Sequence, residues 1–88
     1  MNTGDASSSA ARMAEQAAAA VDTGELTCAS LILAVRQALD GLATGEVLAV
    51  VSRDPSARLD LPAWCRMTGH SYLETEDRDD HAIHYLRK

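Results

Sequence analysis

The 88-residue chain has no phenylalanine, one tryptophan and two tyrosines, so aromatics make up only 3% of it. Whatever core it builds must therefore be aliphatic, and it offers no row of rings on which nucleic-acid bases could stack. Basic residues are also in short supply, with 8 Lys and Arg against 13 Asp and Glu and a formal net charge of -5. That balance argues against binding nucleic acid through its phosphates. No apolar run approaches the length of a membrane-spanning helix. The first residues also lack a basic start followed by an apolar block, so a cytoplasmic location with no membrane partner is expected. Two cysteines in that setting predict reduced thiols rather than a disulfide. What is present is 47% hydrophobic residues, enough for one small globular domain with one modest core.

The chain divides by composition. Residues 1–18 hold the Ser7-Ser8-Ser9 run and many alanines, with no apolar stripe to dock. They read as a mobile tail carrying at most a frayed helix. The folded domain is expected over residues 19–88. A short strand is assigned to Ala19–Thr23, chiefly because a turn and a strongly patterned helix come next in the chain. From Cys28 to Leu42, Leu31, Ile32, Val35, Leu39 and Leu42 recur at three- and four-residue steps, the period of an amphipathic helix with one buried face. Gly41 and Gly45 punctuate its end. Val47-Leu48-Ala49-Val50-Val51 is a continuous apolar run and reads as a buried central strand. Asp54-Pro55-Ser56 predicts a turn, and Asp60-Leu61-Pro62 a second helix start, with Gly69 as its stop. His70–Glu76 and His81–Arg87 read as a closing hairpin around the charged Glu76–Asp80 turn. The order βαβαββ predicts an α/β (α+β) two-layer sandwich, with two helices on one face of a four-stranded mixed sheet.

Cys28 stands where the first helix should begin. A helix N-terminus offers unpaired N–H groups and a partial positive charge, and both favour thiolate over thiol. Thr27 and Ser30 are near enough in sequence to donate a hydrogen bond to that sulfur. From position alone, the plainer reading of Cys28 is a cysteine that merely caps a helix. Cys65 reads as a small buried hydrophobe. His81 and His84, three apart on a strand, point to opposite faces, which disfavours a shared metal ion. His70 reads as a strand-start residue near the cysteine edge. Arg53, Arg58 and Arg66, with Asp54 and Asp60 between them, read mainly as a solvated face and secondarily, with Arg36, as a docking surface.

Taken together these pieces resemble the TusA-like (SirA-like) sulfur-carrier family, from Asp22 to Lys88. The family pattern has an aspartate six residues before the cysteine, here Asp22, and a basic residue on the following helix, here Arg36. Gly45-Glu46 before an apolar strand, Asp54-Pro55, Asp60-Leu61-Pro62, Trp64-Cys65, Gly69-His70 and the closing Arg87-Lys88 come in the family's order and spacing. The family signature Cys-Pro-x-Pro appears here as Cys28-Ala29-Ser30-Leu31, without either proline. The family's glycine three residues before the cysteine is replaced by Glu25, with Gly24 one place earlier. A negative charge at Glu25 would raise the thiol pKa and oppose the helix-end effect.

The resemblance implies a sulfurtransferase in which Cys28 carries sulfane sulfur as a persulfide, with no metal or organic cofactor. It further implies a cysteine desulfurase or rhodanese-like donor and a DsrE-like acceptor, in a relay serving tRNA thiolation, cofactor sulfuration or sulfur oxidation. The free protein is expected to be monomeric. Asp22, Thr27, Ser30, Arg36, Asp54, Asp60 and His70 are the candidate supporting or docking residues. The competing reading keeps the sandwich but has lost the chemistry, leaving a non-catalytic interaction or regulatory module.

Overall fold

The computed structural model describes residues 14–88. Most of the segment assigned to a tail, residues 1–13, lies outside the described residues. The elements are β1 (Ala17–Gly24), α1 (Cys28–Asp40), β2 (Val47–Ser52), α2 (Ala57–Thr68), β3 (Ser71–Asp77) and β4 (Ala82–Arg87). The four strands form one sheet in the order β1-β2-β4-β3. β1 runs parallel to β2, while β4 is antiparallel to both β2 and β3. The α+β two-layer sandwich with a mixed sheet is therefore the fold of this chain.

The hydrophobic pattern explains the layers. Leu31, Val35 and Leu39 form the buried stripe of α1, and Leu61 and Cys65 that of α2. They close over Leu48 and Val50 of β2 and Leu86 of β4 in one core. β2 is also covered on its other face, where Val47 and Ala49 pack with the buried Tyr85. Burial on both faces is the reason its sequence is a continuous apolar run rather than an alternation. β1 begins at Ala17, two residues earlier than expected, and is built largely of alanine. Alanine has poor strand propensity, so the strand is held by its ladder to β2 and by Ala19 and Val21 packing on the core.

Other boundaries also differ from the sequence reading. The second helix starts at Ala57 rather than at Asp60. The Asp54 carboxylate accepts the Ser56 N–H at 3.1 Å, and the Ser56 carbonyl accepts from Leu59 and Asp60 at 3.0 Å. Asp60 thus lies in the first turn, and Pro62 lies inside the helix. Pro62 has no N–H to return to the Arg58 carbonyl four residues back. The helix continues through it because Leu61 and Cys65 are both fully buried. At the far end of the helix Gly69 takes the left-handed conformation (φ 81) that a side chain would disfavour, and its C-cap hydrogen bond reaches the Cys65 carbonyl. β3 then runs on through Glu76 and Asp77. Glu76 accepts from the Tyr85 hydroxyl at 3.0 Å, and Asp77 pairs with Arg58. The hairpin turn narrows to residues 78–81, closed by Arg78 N–H to the His81 carbonyl at 2.9 Å.

The last residue fastens the end of α1. Lys88 Nζ donates to the Leu42 carbonyl at 2.6 Å, while its backbone pairs with Gly45 and Glu46. A cation beside the last helical carbonyls also complements the helix dipole. Lys88→Met keeps the backbone bonds and removes only the ammonium. It is expected to lower stability by about 1 kcal/mol, read as a shift of the urea midpoint with no change in slope.

Candidate functional site

β1 leaves the sheet beside the C-terminal end of β2, and Gly24 makes the departure with φ 57. This left-handed turn is the physical role of a glycine here. It is stabilised locally, since the Gly24 N–H donates to Asp22 Oδ1 at 2.8 Å and its carbonyl accepts the Arg53 N–H at 2.9 Å. Arg53 also faces Asp22 at 3.8 Å. A further turn, closed by Leu26 N–H to the Thr23 carbonyl at 3.0 Å, delivers the chain to Thr27 and Cys28. Thr23 itself is buried, and its hydroxyl donates to the Val51 carbonyl at 2.7 Å. The loop before Cys28 is thus tied at three points to the end of the central strand.

Cys28 is the first residue of α1 and Thr27 its N-cap, with extended backbone (φ -129, ψ 161). The Thr27 carbonyl accepts from Ser30 and Leu31, at 3.1 and 3.3 Å. Its side chain makes no capping hydrogen bond, and the first turn of the helix contains no acidic residue. The positive end of the α1 dipole is therefore left unneutralised from within its own first turn, an environment that favours an anion. Leu26 and Leu33, on either side of Cys28 in sequence, are both exposed.

The remaining predicted residues fall into separate places. Asp22 reaches this end of the sheet through Arg53. Asp54 and Asp60 meet at the start of α2, where the Ser56 hydroxyl donates to Asp54 Oδ2 at 2.8 Å and lies 3.4 Å from Asp60 Oδ2. Ser30 is exposed in the first turn of α1. Arg36 is exposed eight residues beyond Cys28, about 12 Å farther along the helix axis. His70 is not near the cysteine edge. The register sets Ser71 opposite Arg87 and Val47, at the far end of the sheet from Ser52 and Gly24, a strand length of about 17 Å. His70 stacks on Trp64 there, with ring centroids 5.2 Å apart. The placement on the cysteine edge failed because α2 carries the chain from one end of the sheet to the other before β3 begins.

Cys65 is buried in the core, and burial raises its pKa to about 11. It is a packing residue with little thiolate at neutral pH. Among the described residues no group of three or more His, Cys, Asp or Glu is arranged to hold a metal ion. His81 instead meets its neighbour Asp80, with Nδ1 and Oδ1 2.6 Å apart, and this hydrogen bond holds the Asp80 carboxyl below its usual range. Sequence reasoning missed a buried polar chain on the helix-covered face of the sheet. Thr75 Oγ1 contacts Tyr72 Oη, which lies 2.7 Å from His84 Nδ1. His84 is 1% exposed, and burial, with the Arg58 charge nearby, lowers its pKa to about 4. The register pairing Thr75 with His84 was the available signal, but it depends on the bulge between Tyr72 and Glu74, which the sequence does not announce.

Comparison with known proteins adds a family. A family model described as "Sulfurtransferase TusA" matches residues 19–88. The chain is 37% identical over 68 residues to the putative sulfur carrier protein YrkF of Bacillus subtilis, covering 77% of this chain and 37% of that longer protein. It is 31% identical over 70 residues to the sulfur carrier protein TusA of Pseudomonas putida (strain GB-1), covering 80% of this chain and 88% of that one. A TusA of Pseudomonas aeruginosa (strain LESB58) is 30% identical over 70 residues, covering 80% of this chain and 89% of that one.

Proposed function

Because this chain belongs to the TusA sulfurtransferase family, we propose that it works as a sulfur carrier with Cys28 as the carrying residue. The observation that carries this reading is the family match across residues 19–88, within which Cys28 opens α1. The relatives in Pseudomonas are named sulfur carrier proteins, and they are matched over nearly their whole length.

The chemistry is thiol exchange. The Cys28 thiolate attacks the terminal sulfur of a donor persulfide, and a new S–S bond forms to Cys28. The donor's S–S bond breaks, the donor thiolate leaves with the electron pair, and the transferred sulfur keeps its proton. An acceptor thiolate then attacks that terminal sulfur, and Cys28 is the leaving thiolate. No electrons are gained or lost overall, so no oxidant enters. The N-terminus of α1, with no side-chain cap and no acidic residue in its first turn, is the kind of helix end that favours an anion and so supports a thiolate role for its first residue. A cysteine desulfurase or rhodanese-like protein is the proposed donor and a DsrE-like protein the proposed acceptor, with the exposed Leu26, two residues before Cys28 in the chain, as an apolar contact. The proposed setting is the cytoplasm.

Mass spectrometry after incubation with a desulfurase and cysteine tests this. The expected result is a gain of one sulfur atom by the wild-type chain and none by Cys28→Ser. A gain that survives Cys28→Ser would move the carrier site elsewhere. A second reading, a non-catalytic interaction or regulatory module, is favoured by the absence of both prolines of the Cys-Pro-x-Pro signature and by Glu25 three residues before Cys28. Iodoacetamide labelling separates the two readings. A carrier's Cys28 reacts at neutral pH faster than a free thiol, while a merely structural one does not.

A further inference from the structure

A cleft of about 240 Å³ lies at the end of β2, between the start of α2 and the β3–β4 hairpin. That is room for several waters or one small solute. Ser52, Arg53, Arg58, Asp79, Asp80 and His84 are among its lining residues. Sulfur transfer at Cys28 uses none of them as a reacting group.

Two of these residues are buried and carry unspent polar atoms. Ser52 is 1% exposed, and its Oγ accepts the Asp54 N–H at 3.0 Å. Among the described residues its own hydroxyl hydrogen has no acceptor. His84 is equally buried, and its Nδ1 is engaged by Tyr72. Running the chain from Thr75 Oγ1–H to Tyr72 Oη, and from Tyr72 Oη–H to His84 Nδ1, uses both hydroxyl hydrogens and leaves the imidazole proton on Nε2. Nε2 has no hydrogen-bond partner among the described residues. Ser52 lies opposite Ala82, two residues from His84 on the same face of the β2–β4 ladder, so the two donors are diagonal neighbours. Buried donors without acceptors are costly unless something supplies the acceptor.

The charged groups select what that acceptor belongs to. Arg58 holds Asp77, and Arg53 reaches Asp22 only at 3.8 Å, so each five-donor guanidinium keeps N–H groups to spare. Asp54 is occupied by Ser56. The hairpin side contributes Asp79 and Asp80, the latter with Oδ1 already engaged by His81 and Oδ2 without a partner among the described residues, and these carboxylates repel a multiply charged anion and attract a cation. Donors on the strand side and carboxylates on the hairpin side match a ligand with one negative and one positive end. We propose that this cleft binds a small zwitterion of the α-amino acid class, its carboxylate on Ser52, His84 and the arginines and its ammonium toward Asp79 and Asp80. His84 is neutral at neutral pH, so it serves as a directed hydrogen-bond donor and the arginines supply the charge.

The test is an NMR titration of the full chain at pH 7 and constant ionic strength, following the His84 ring and the amides of residues 52–58. Glycine, acetate, methylamine and sulfate are the probes. Glycine is expected to give saturable shifts at both places, at lower concentration than acetate, while methylamine and sulfate give none that saturate. Arg58→Gln should weaken glycine binding by about tenfold or more, as expected for losing a charge-assisted bond to a carboxylate, with the rest of the spectrum unchanged. The proposal is overturned if glycine gives no saturable shift, if acetate or sulfate binds as tightly as glycine, or if Arg58→Gln binds glycine as the wild type does.

Discussion

Leu31→Pro is expected to destabilise the domain by about 3 kcal/mol or more, while Ala29→Pro changes stability by less than about 1 kcal/mol. These are the two positions at which the family signature carries proline, and the structure makes them unequal. Ala29 is exposed in the first turn of α1, where proline's fixed φ is already helical and its missing N–H costs little. Leu31 is fully buried among Val35, Leu48 and Leu61 in the main core. Its N–H also makes the first i→i−4 bond of the helix, to the Thr27 carbonyl at 3.3 Å. Proline there removes that bond and most of a core side chain together. Urea unfolding of the two variants beside the wild type decides the point. A neutral Leu31→Pro would mean that Leu31 does not anchor the helix. At position 31 this chain has thus exchanged a residue that stiffens the turn for one that fastens it from below, so losing the proline does not by itself imply a loose start to α1. Ala29→Pro also serves as a probe of the carrier site, because it stiffens the turn after Cys28 without disturbing the core.

Some of this architecture was legible because one physical cause dominated each signal. The Val47–Val51 run is continuous because β2 is covered on both faces, and the stripe through Leu31, Val35 and Leu39 repeats because α1 has a single buried side. β1 had no such cause within its own residues. From Ala17 to Val21 it offers only alanine and one valine, and the strand exists because β2 lies beside it. The second helix was placed three residues late because Asp60-Leu61-Pro62 has the form of a helix start, while the burial of Leu61 and Cys65 that lets the helix run through Pro62 is a tertiary fact. At the candidate site, the position of Cys28 at the head of α1 could be read from periodicity, but its proposed chemistry came from family likeness. The Arg53 link to Asp22 and Gly24 and the cleft lined by Ser52, Arg58 and His84 join residues far apart in sequence. No local pattern announces such meetings; the β1–β2 register produces the first and the β2–β4–β3 registers the second.

The same buried histidine sets the acid limit of the fold. In the unfolded chain His84 should titrate near the ordinary histidine value of about 6.5, whereas in the folded protein burial and the Arg58 charge hold it at about 4. Between those two values the unfolded state binds a proton that the folded state refuses, so stability falls as pH drops. The contribution is fully present above about pH 6.5, declines through the interval, and is spent below about pH 4; the whole difference is roughly 3 kcal/mol. Asp80, held low by its hydrogen bond to His81, has its own dependence below the ordinary carboxylate range and so barely overlaps this window. Unfolding free energies measured at half-unit steps from pH 7.5 to pH 4.5 should therefore slope downward toward acid in the wild type, by an amount approaching one bound proton per molecule. His84→Asn places an amide oxygen where Nδ1 lies, to accept from the Tyr72 hydroxyl, but cannot titrate, and its curve should be flatter over the same range. An equal slope in both proteins would assign the acid sensitivity to other groups and leave His84 without the role its burial gives it.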